Sequence, residues 1–150
     1  VTVRILTNFL TQVDIEQLLL FAEQGNFEPG RQGTGYVKAC IPPQLFPELR
    51  KDSLKQLGAT LDVGHDCYLV RYGVNTWIPS HKDDAPLAQE HHRLNAMVTM
   101  PERGGQLIVE GQSIELAVRD AYVFRPDLQE HEVQRVEAGV RLIWSVGVLV

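Results

Sequence analysis

From His65 to its end the chain is written in short β-branched and aromatic runs, and this narrows the available folds more than any other feature. Cys67–Val70, Leu94–Met100, Gln106–Val109, Ile114–Val118, Ala121–Phe124, Val133–Val136 and Val140–Val150 all read as strands. Gly104-Gly105, Glu110-Gly111, Arg119-Asp120 and Ala138-Gly139 separate several of them as turns. Short strands at such regular spacing predict a sandwich or barrel. A jelly roll is the version that closes its sheets over an internal pocket.

The front of the chain has a different periodicity. Val3–Leu6 reads as a short strand, and Asp14 as the cap of a helix through Leu18–Phe21, with Gln17 completing a capping box. Gly30–Gly35 reads as a loop and Tyr36–Ile41 as a strand. Pro42 and Pro43 introduce a second helix in which Leu45, Phe46, Leu49, Leu54 and Leu57 recur at helical spacing, with Gly58 as its C-cap. No repeat or low-complexity linker interrupts the sequence. The expectation is one domain over residues 1–150, with helical support over about 1–60 and a β core over about 65–150.

Composition removes several function classes. The formal net charge is −5, and no Lys/Arg run is interleaved with aromatics, so nothing advertises a nucleic-acid groove. Charges such as Glu23 and Arg141 break the longest apolar runs, which argues against a membrane span. No signal-peptide pattern opens the chain, and its first residue, Val, reads as a trimmed start. Cys40 and Cys67 form no CxxC and read as the buried thiols of a cytoplasmic protein.

The sharpest local feature is His81-Lys82-Asp83. On extended chain, residues i and i+2 point to one side, so His81 and Asp83 can grip one ion while Lys82 faces away. His131, where a turn through Pro126–Gln129 feeds a new strand, is the best third ligand. Two histidines and one carboxylate make the facial triad of non-haem iron(II) oxygenases, which leaves coordination positions open. Arg141 stands ten residues beyond His131, across the Ala138-Gly139 turn. With residues 132–137 and 140–147 as neighbouring antiparallel strands, it would enter the same cavity. There its planar guanidinium suits bidentate capture of a carboxylate. A purely superficial Arg141 sits badly among Val140, Leu142, Ile143 and Trp144.

Together these residues resemble a family. Tyr72-Gly73, Ile78–Asp83, Gly104–Leu107, Asp120–Phe124, His131–Val133 and Gly139–Leu142 follow the order and spacing of the 2-oxoglutarate- and iron(II)-dependent dioxygenases, most closely the prolyl 4-hydroxylase-like branch. The resemblance covers about residues 65–150. It implies a mainly β, cupin-like double-stranded β-helix, with iron(II) on His81, Asp83 and His131. It also implies Arg141 on the distal carboxylate of 2-oxoglutarate, Tyr72 bordering that co-substrate with Tyr68 as a rival, and Ser145 lining its pocket. Where some relatives carry a second tyrosine, this chain offers Met100, with Asn95 and Thr99 nearby. The implied reaction consumes O2 and 2-oxoglutarate, releases succinate and CO2, and hydroxylates a C–H bond of a small molecule, amino acid or prolyl/peptidyl substrate. Ascorbate would serve as reductant. The carboxylate at Asp83 favours hydroxylation over halogenation.

Other residues take blander readings. Asp84 should point away from Asp83, and His91 and His92, facing opposite ways in a mobile loop over Ala85–Arg93, make a poor second metal site but a plausible substrate rim. His65 reads as a strand-edge histidine, Trp77 as packing or rim, and Trp144 as directed away from the pocket. Arg93 and Arg125 read as surface partners of nearby acids. Two other functions fit less well. A non-catalytic cupin-like metal-binding barrel has no need of Arg141, and a zinc hydrolase would want a general base such as HExxH supplies.

Overall fold

The computed structural model describes residues 2–150, and its elements run in the order β1 (Arg4–Leu6), α1 (Gln12–Gln24), β2 (Glu28–Pro29), β3 (Val37–Cys40), α2 (Pro47–Gln56), β4 (His65–Tyr72), β5 (Ile78–His81), β6 (His91–Thr99), β7 (Arg103–Gly104), β8 (Leu107–Val109), β9 (Gln112–Ile114), β10 (Ala121–Phe124), β11 (His131–Val133), β12 (Val136–Ala138) and β13 (Arg141–Leu149). A larger antiparallel sheet has the order β1-β10-β6-β13-β4-β3-β2, and a smaller one the order β5-β11-β8-β9. The pair β12-β7 joins them at one end. This is a jelly roll with two supporting helices, as the strand spacing predicted.

The period-2 alternation of the long strands sorts the side chains into two cores. On β13, Leu142, Trp144, Val146 and Val148 face outward, against Leu18 of α1 and Leu49 and Leu54 of α2. Ile143 faces inward, with Val70, Tyr72, Met97, Tyr122 and Phe124 lining the space between the sheets. Trp144 is fully buried away from the pocket, as expected, and its indole Nε1–H donates to Ser53 Oγ at 2.9 Å. Phe46 sets its ring edge-on to Trp144, at 5.8 Å, and to Phe21, at 6.0 Å, so both helices are anchored to one aromatic cluster.

Five local expectations shift. The α1 cap is Thr11, and Asp14 is its capping-box partner: Asp14 N–H donates to Thr11 Oγ1 and Thr11 N–H to Asp14 Oδ2. Pro47, and not Pro42 or Pro43, opens α2, because Phe46 takes a left-handed backbone at the N-cap, with φ +54°, and gives its ring to the aromatic cluster before the helix begins. The Ile114–Val118 run pairs only at its start, within β9, and the Ala85–Arg93 loop ends early, since β6 starts at His91. The Val133–Val136 run divides between β11 and β12, so residues 132–137 and 140–147 are not neighbouring strands. Strand β11 pairs with β5 and β8, whereas β13 pairs with β4 and β6 in the other sheet. The chain changes sheets through β12 and Gly139, whose φ is +82° and where a Cβ would lie 2.7 Å from the Glu102 nitrogen.

Trp144→Ala should remove about 3–5 kcal/mol of stability, since it leaves a cavity under both helices and strips Ser53 of its donor. Urea unfolding measures this. A loss below about 1 kcal/mol would mean that the outer core does not organise the helices.

Candidate metal and anion site

The short β5–β11 ladder brings two sequence-distant histidines together. Its register sets His131 opposite His81, and the ring centroids lie 4.3 Å apart. Beyond the end of β5, Asp83 N–H donates to the Pro126 carbonyl at 2.8 Å, which fixes the backbone that presents its carboxylate. Asp83 Oδ1 lies 3.0 Å from His81 Nε2 and 3.9 Å from His131 Nε2. One ligand atom from each of His81, Asp83 and His131 falls within 4.8 Å of the others. Both imidazoles are oriented alike. His81 Nδ1–H donates to the Pro79 carbonyl and His131 Nδ1–H to the Gln129 carbonyl, each at 2.8 Å, so both Nε2 atoms face the centre. Such outer contacts fix the tautomer of a metal-binding histidine.

Charge and burial oppose one another here. The hydrogen bond with Asp83 raises the His81 pKa above its ordinary value against the effect of burial. Burial works against the Asp83 carboxylate, but the His81 hydrogen bond and the charges of His131, His81 and Arg93 outweigh it and hold its pKa low. Burial depresses the His131 pKa below its ordinary value, a shift toward the neutral form that ligates. Asp84 lines the same cavity but stands outside the cluster.

The triad opens on a cavity of about 300 Å³ whose far wall is the larger sheet, including Tyr68, Tyr72, Asn95, Tyr122 and Ser145. Arg141 lies opposite Tyr72 in the β13–β4 register, with its guanidinium carbon 4.8 Å from the Tyr72 ring centroid. It is 1% exposed, and neither Nη1 nor Nη2 has a hydrogen-bond partner. It borders an adjoining cavity of about 270 Å³ with Met97, Met100 and Gln106, and Leu107 lines both spaces. Burial pushes the Tyr72 hydroxyl pKa far up, so Tyr72 stays neutral beside the guanidinium.

Ser145 shares the Arg141 face of β13, but four residues at about 3.3 Å each separate them by roughly 13 Å. Its Oγ accepts from Arg93 Nη1 at 2.7 Å, while Arg93 Nη2 reaches both oxygens of Asp66. Arg93 therefore lines the cavity, contrary to its surface reading, whereas Arg125 pairs with Asp127 and Glu90 as expected. Tyr68 carries Lys38 over its ring, and Asn95 Nδ2–H donates to the Tyr122 hydroxyl. Thr99 is spent on the Val140 carbonyl and the Leu142 N–H, so it does not replace the missing tyrosine. Gln32 was invisible to sequence reasoning. Its loop crosses from the front of the chain, its Nε2 lies 3.1 Å from His81 Nε2, and its Oε1 accepts from the Tyr36 hydroxyl. His92 pairs with Glu90, His65 with the Val63 carbonyl, and Arg135 covers the Trp77 ring.

No family model and no curated protein sequence matches this chain. Solved structures do match it, over 97% of its length. A prolyl-4-hydroxylase from Pseudomonas putida is 17% identical with a TM-score of 0.74, and 90% of that chain is covered. The viral collagen prolyl hydroxylase of Paramecium bursaria Chlorella virus-1, in complex with 2-oxoglutarate, is 15% identical with a TM-score of 0.71 over 95% of its chain. HygX from Streptomyces hygroscopicus, with nickel, 2-oxoglutarate and hygromycin B bound, is 11% identical with a TM-score of 0.75 over 81% of its chain. The fold is that of the 2-oxoglutarate- and iron(II)-dependent oxygenases. Within that fold, His81, Asp83 and His131 line one cavity and Arg141 lines the adjoining one, not the shared cavity expected from its place in the sequence.

Replacing His81 or His131 with Ala should abolish stoichiometric iron(II) binding while the far-ultraviolet circular dichroism stays native, since the larger sheet does not depend on either side chain. Full iron binding by either folded variant would remove that residue from the site.

Proposed function

We propose that this protein is an iron(II)- and 2-oxoglutarate-dependent oxygenase that hydroxylates a C–H bond. The observation that carries the reading is Arg141: a buried guanidinium with both terminal nitrogens unpaired, lining a cavity that adjoins the one lined by the histidine–carboxylate cluster. A buried charge without a partner is expensive, so the fold supports this one only if an anion completes it. A dicarboxylate with a chelating 2-oxo acid at one end matches a metal centre plus a cation deeper in the same barrel.

The donor set fits iron(II). His81 Nε2, His131 Nε2 and Asp83 Oδ1 would hold the ion on one face and leave the opposite positions for co-substrate and O2. When bound, iron and 2-oxoglutarate supply the oxidising chemistry, which gives succinate and CO2 and delivers one oxygen atom to the substrate. The chain's own residues bind and orient. Arg141 would take the distal carboxylate through Nη1 and Nη2, and Tyr72 backs its guanidinium plane. Buried Met97 and Leu107 lie along the same cavity wall and exclude water from one side of the guanidinium, which strengthens an ion pair there. Tyr68, Arg93 and Ser145 lie along the larger sheet toward its other end and would border substrate.

The structural neighbours include a prolyl hydroxylase in complex with a peptide fragment and an enzyme with hygromycin B bound, which supports a peptidyl, amino-acid or small-molecule substrate here. Ascorbate is the expected reductant. Cys67 is buried, which pushes its thiol up to about 12, whereas Cys40 is exposed, contrary to the buried position expected of both. No helix among the described residues is long and apolar enough to cross a membrane. A non-catalytic metal-binding barrel would leave the Arg141 guanidinium without a purpose.

Arg141→Ala should raise the apparent constant for 2-oxoglutarate at least about tenfold, the loss of a charge-assisted pair worth ~1.5–3 kcal/mol, with iron(II) affinity little changed. Asp83→Ala should cut succinate formation by orders of magnitude and Asp84→Ala should be nearly neutral, because only Asp83 belongs to the ligand cluster. An unchanged 2-oxoglutarate constant in Arg141→Ala, or wild-type protein that forms no succinate with iron(II) and any 2-oxo acid, would overturn the reading.

A further inference from the structure

We propose that His91 is a positioning residue for Asp83: its Nδ1–H donates to Asp83 Oδ2 and holds the carboxylate to a one-oxygen grip on the metal. The inference rests on the triad reading above and concerns a residue outside it.

Asp83 offers two oxygens, and they have different surroundings. Oδ1 faces His81 Nε2 at 3.0 Å and His131 Nε2 at 3.9 Å, with Arg31 Nη2 at 3.7 Å on its solvent side. Oδ2 is turned the other way, where His91 Nδ1 stands 3.8 Å off. His91 is 8% exposed, and its Nδ1 is one of few buried side-chain polar atoms among the described residues without a hydrogen-bond partner. A buried imidazole nitrogen left unpaired costs about 1–3 kcal/mol, so a partner within one small side-chain rotation is the economical solution. A carboxylate oxygen only accepts, so the contact is attractive only when Nδ1 carries the proton.

Both backbones are already fixed. Residue 91 opens β6, opposite Leu149 of β13, and the preceding Glu90 exchanges two hydrogen bonds with Val150, at 2.6 and 2.9 Å. Asp83 is tied to the Pro126 carbonyl. Closing from 3.8 Å to hydrogen-bond distance therefore needs only side-chain torsion. The consequence is chemical. A carboxylate free to swing can give both oxygens to the ion and occupy a position that a chelating co-substrate and O2 require. With Oδ2 held by His91, only Oδ1 remains for the ion.

The test uses cobalt(II) alone as the probe, titrated into the full chain without co-substrate, with affinity taken by competition and coordination number from the visible absorption. Asn places its amide N–H where Nδ1 stands, Gln places it farther out, and Leu provides none. His91→Leu should weaken cobalt binding about 10–100-fold and shift the spectrum toward higher coordination. His91→Asn should restore the affinity to within about threefold, and His91→Gln should not. Wild-type affinity in folded His91→Leu, or equal losses in the Asn, Gln and Leu variants, would overturn the assignment while leaving the triad standing. Wild-type protein that binds no cobalt(II), with His81→Ala indistinguishable from it, would overturn the oxygenase reading and this proposal together.

Discussion

Strand β13 is covered on both faces, and every functional position of the larger sheet is set by its pairing. It is hydrogen-bonded to β4 on one side and β6 on the other, so each inward residue of β13 heads a row across three strands. Arg141 lies beside Tyr72, Ser145 between Tyr68 and Asn95, and Gly147 between Asp66 and Arg93. The last row explains the glycine. A Cβ at Gly147 would lie 2.3 Å from Arg93 Nη2, so the bare backbone is what lets the guanidinium lie across the strand to reach Asp66. A one-residue slip of β13 would turn Arg141 outward into the helices and Trp144 into the cavity. The outer core, with its Trp144–Ser53 bond, therefore holds the register on which the anion partner depends.

The smaller sheet does the corresponding work for the metal ligands. Pairing of β5 with β11 sets the two imidazoles side by side, and the segment after β5, tied to Pro126, brings back the carboxylate. The candidate ligand cluster thus comes from the smaller sheet and the segment that follows β5, and Arg141 from the larger sheet. The site exists only when the barrel closes. Phe124, from the larger sheet, packs edge-on to His131 at 5.0 Å and is one of the contacts that make this closure apolar.

Legibility in the sequence followed the range of the interaction. The strand runs, the i, i+2 relation of His81 and Asp83, the direction of Trp144 and the opposed directions of His91 and His92 depend on local periodicity, and the structure has them. The α1 cap was misplaced within its own capping box, because Thr11 and Asp14 can each be read as the start. Contacts between distant segments carried no local signal. Nothing near residue 32 announces that Gln32 reaches His81, and Arg93 looks superficial until Gly147 and Asp66 are set beside it. For Arg141 the structure has neither the expected strand pairing nor the expected shared cavity, since it lines the adjoining space. It enters from the larger sheet, and the turn at Gly139 serves to change sheets and not to form a hairpin.

Three arginines inside the fold show how a structural cation is told from one that awaits a ligand. Arg50 is 4% exposed, yet its Nη2 donates to the carbonyls of Ile41 and Pro42 and so ties α2 to the end of β3. Arg93 is neutralised within the protein by Asp66 and further held by Ser145. Arg141 is the most buried of the three, and it alone has both terminal nitrogens without a partner. Burial of a guanidinium costs the same whatever the purpose, and this fold has met the cost twice with its own acceptors. Around Arg141 stand Tyr72, Met97 and Leu107, and the two carboxylates that share its cavity, Glu102 and Glu115, are exposed and make no hydrogen bond to its terminal nitrogens. With both of those carboxylates exposed to solvent, an anionic ligand from outside the chain is the acceptor that would balance this charge in the proposed oxygenase.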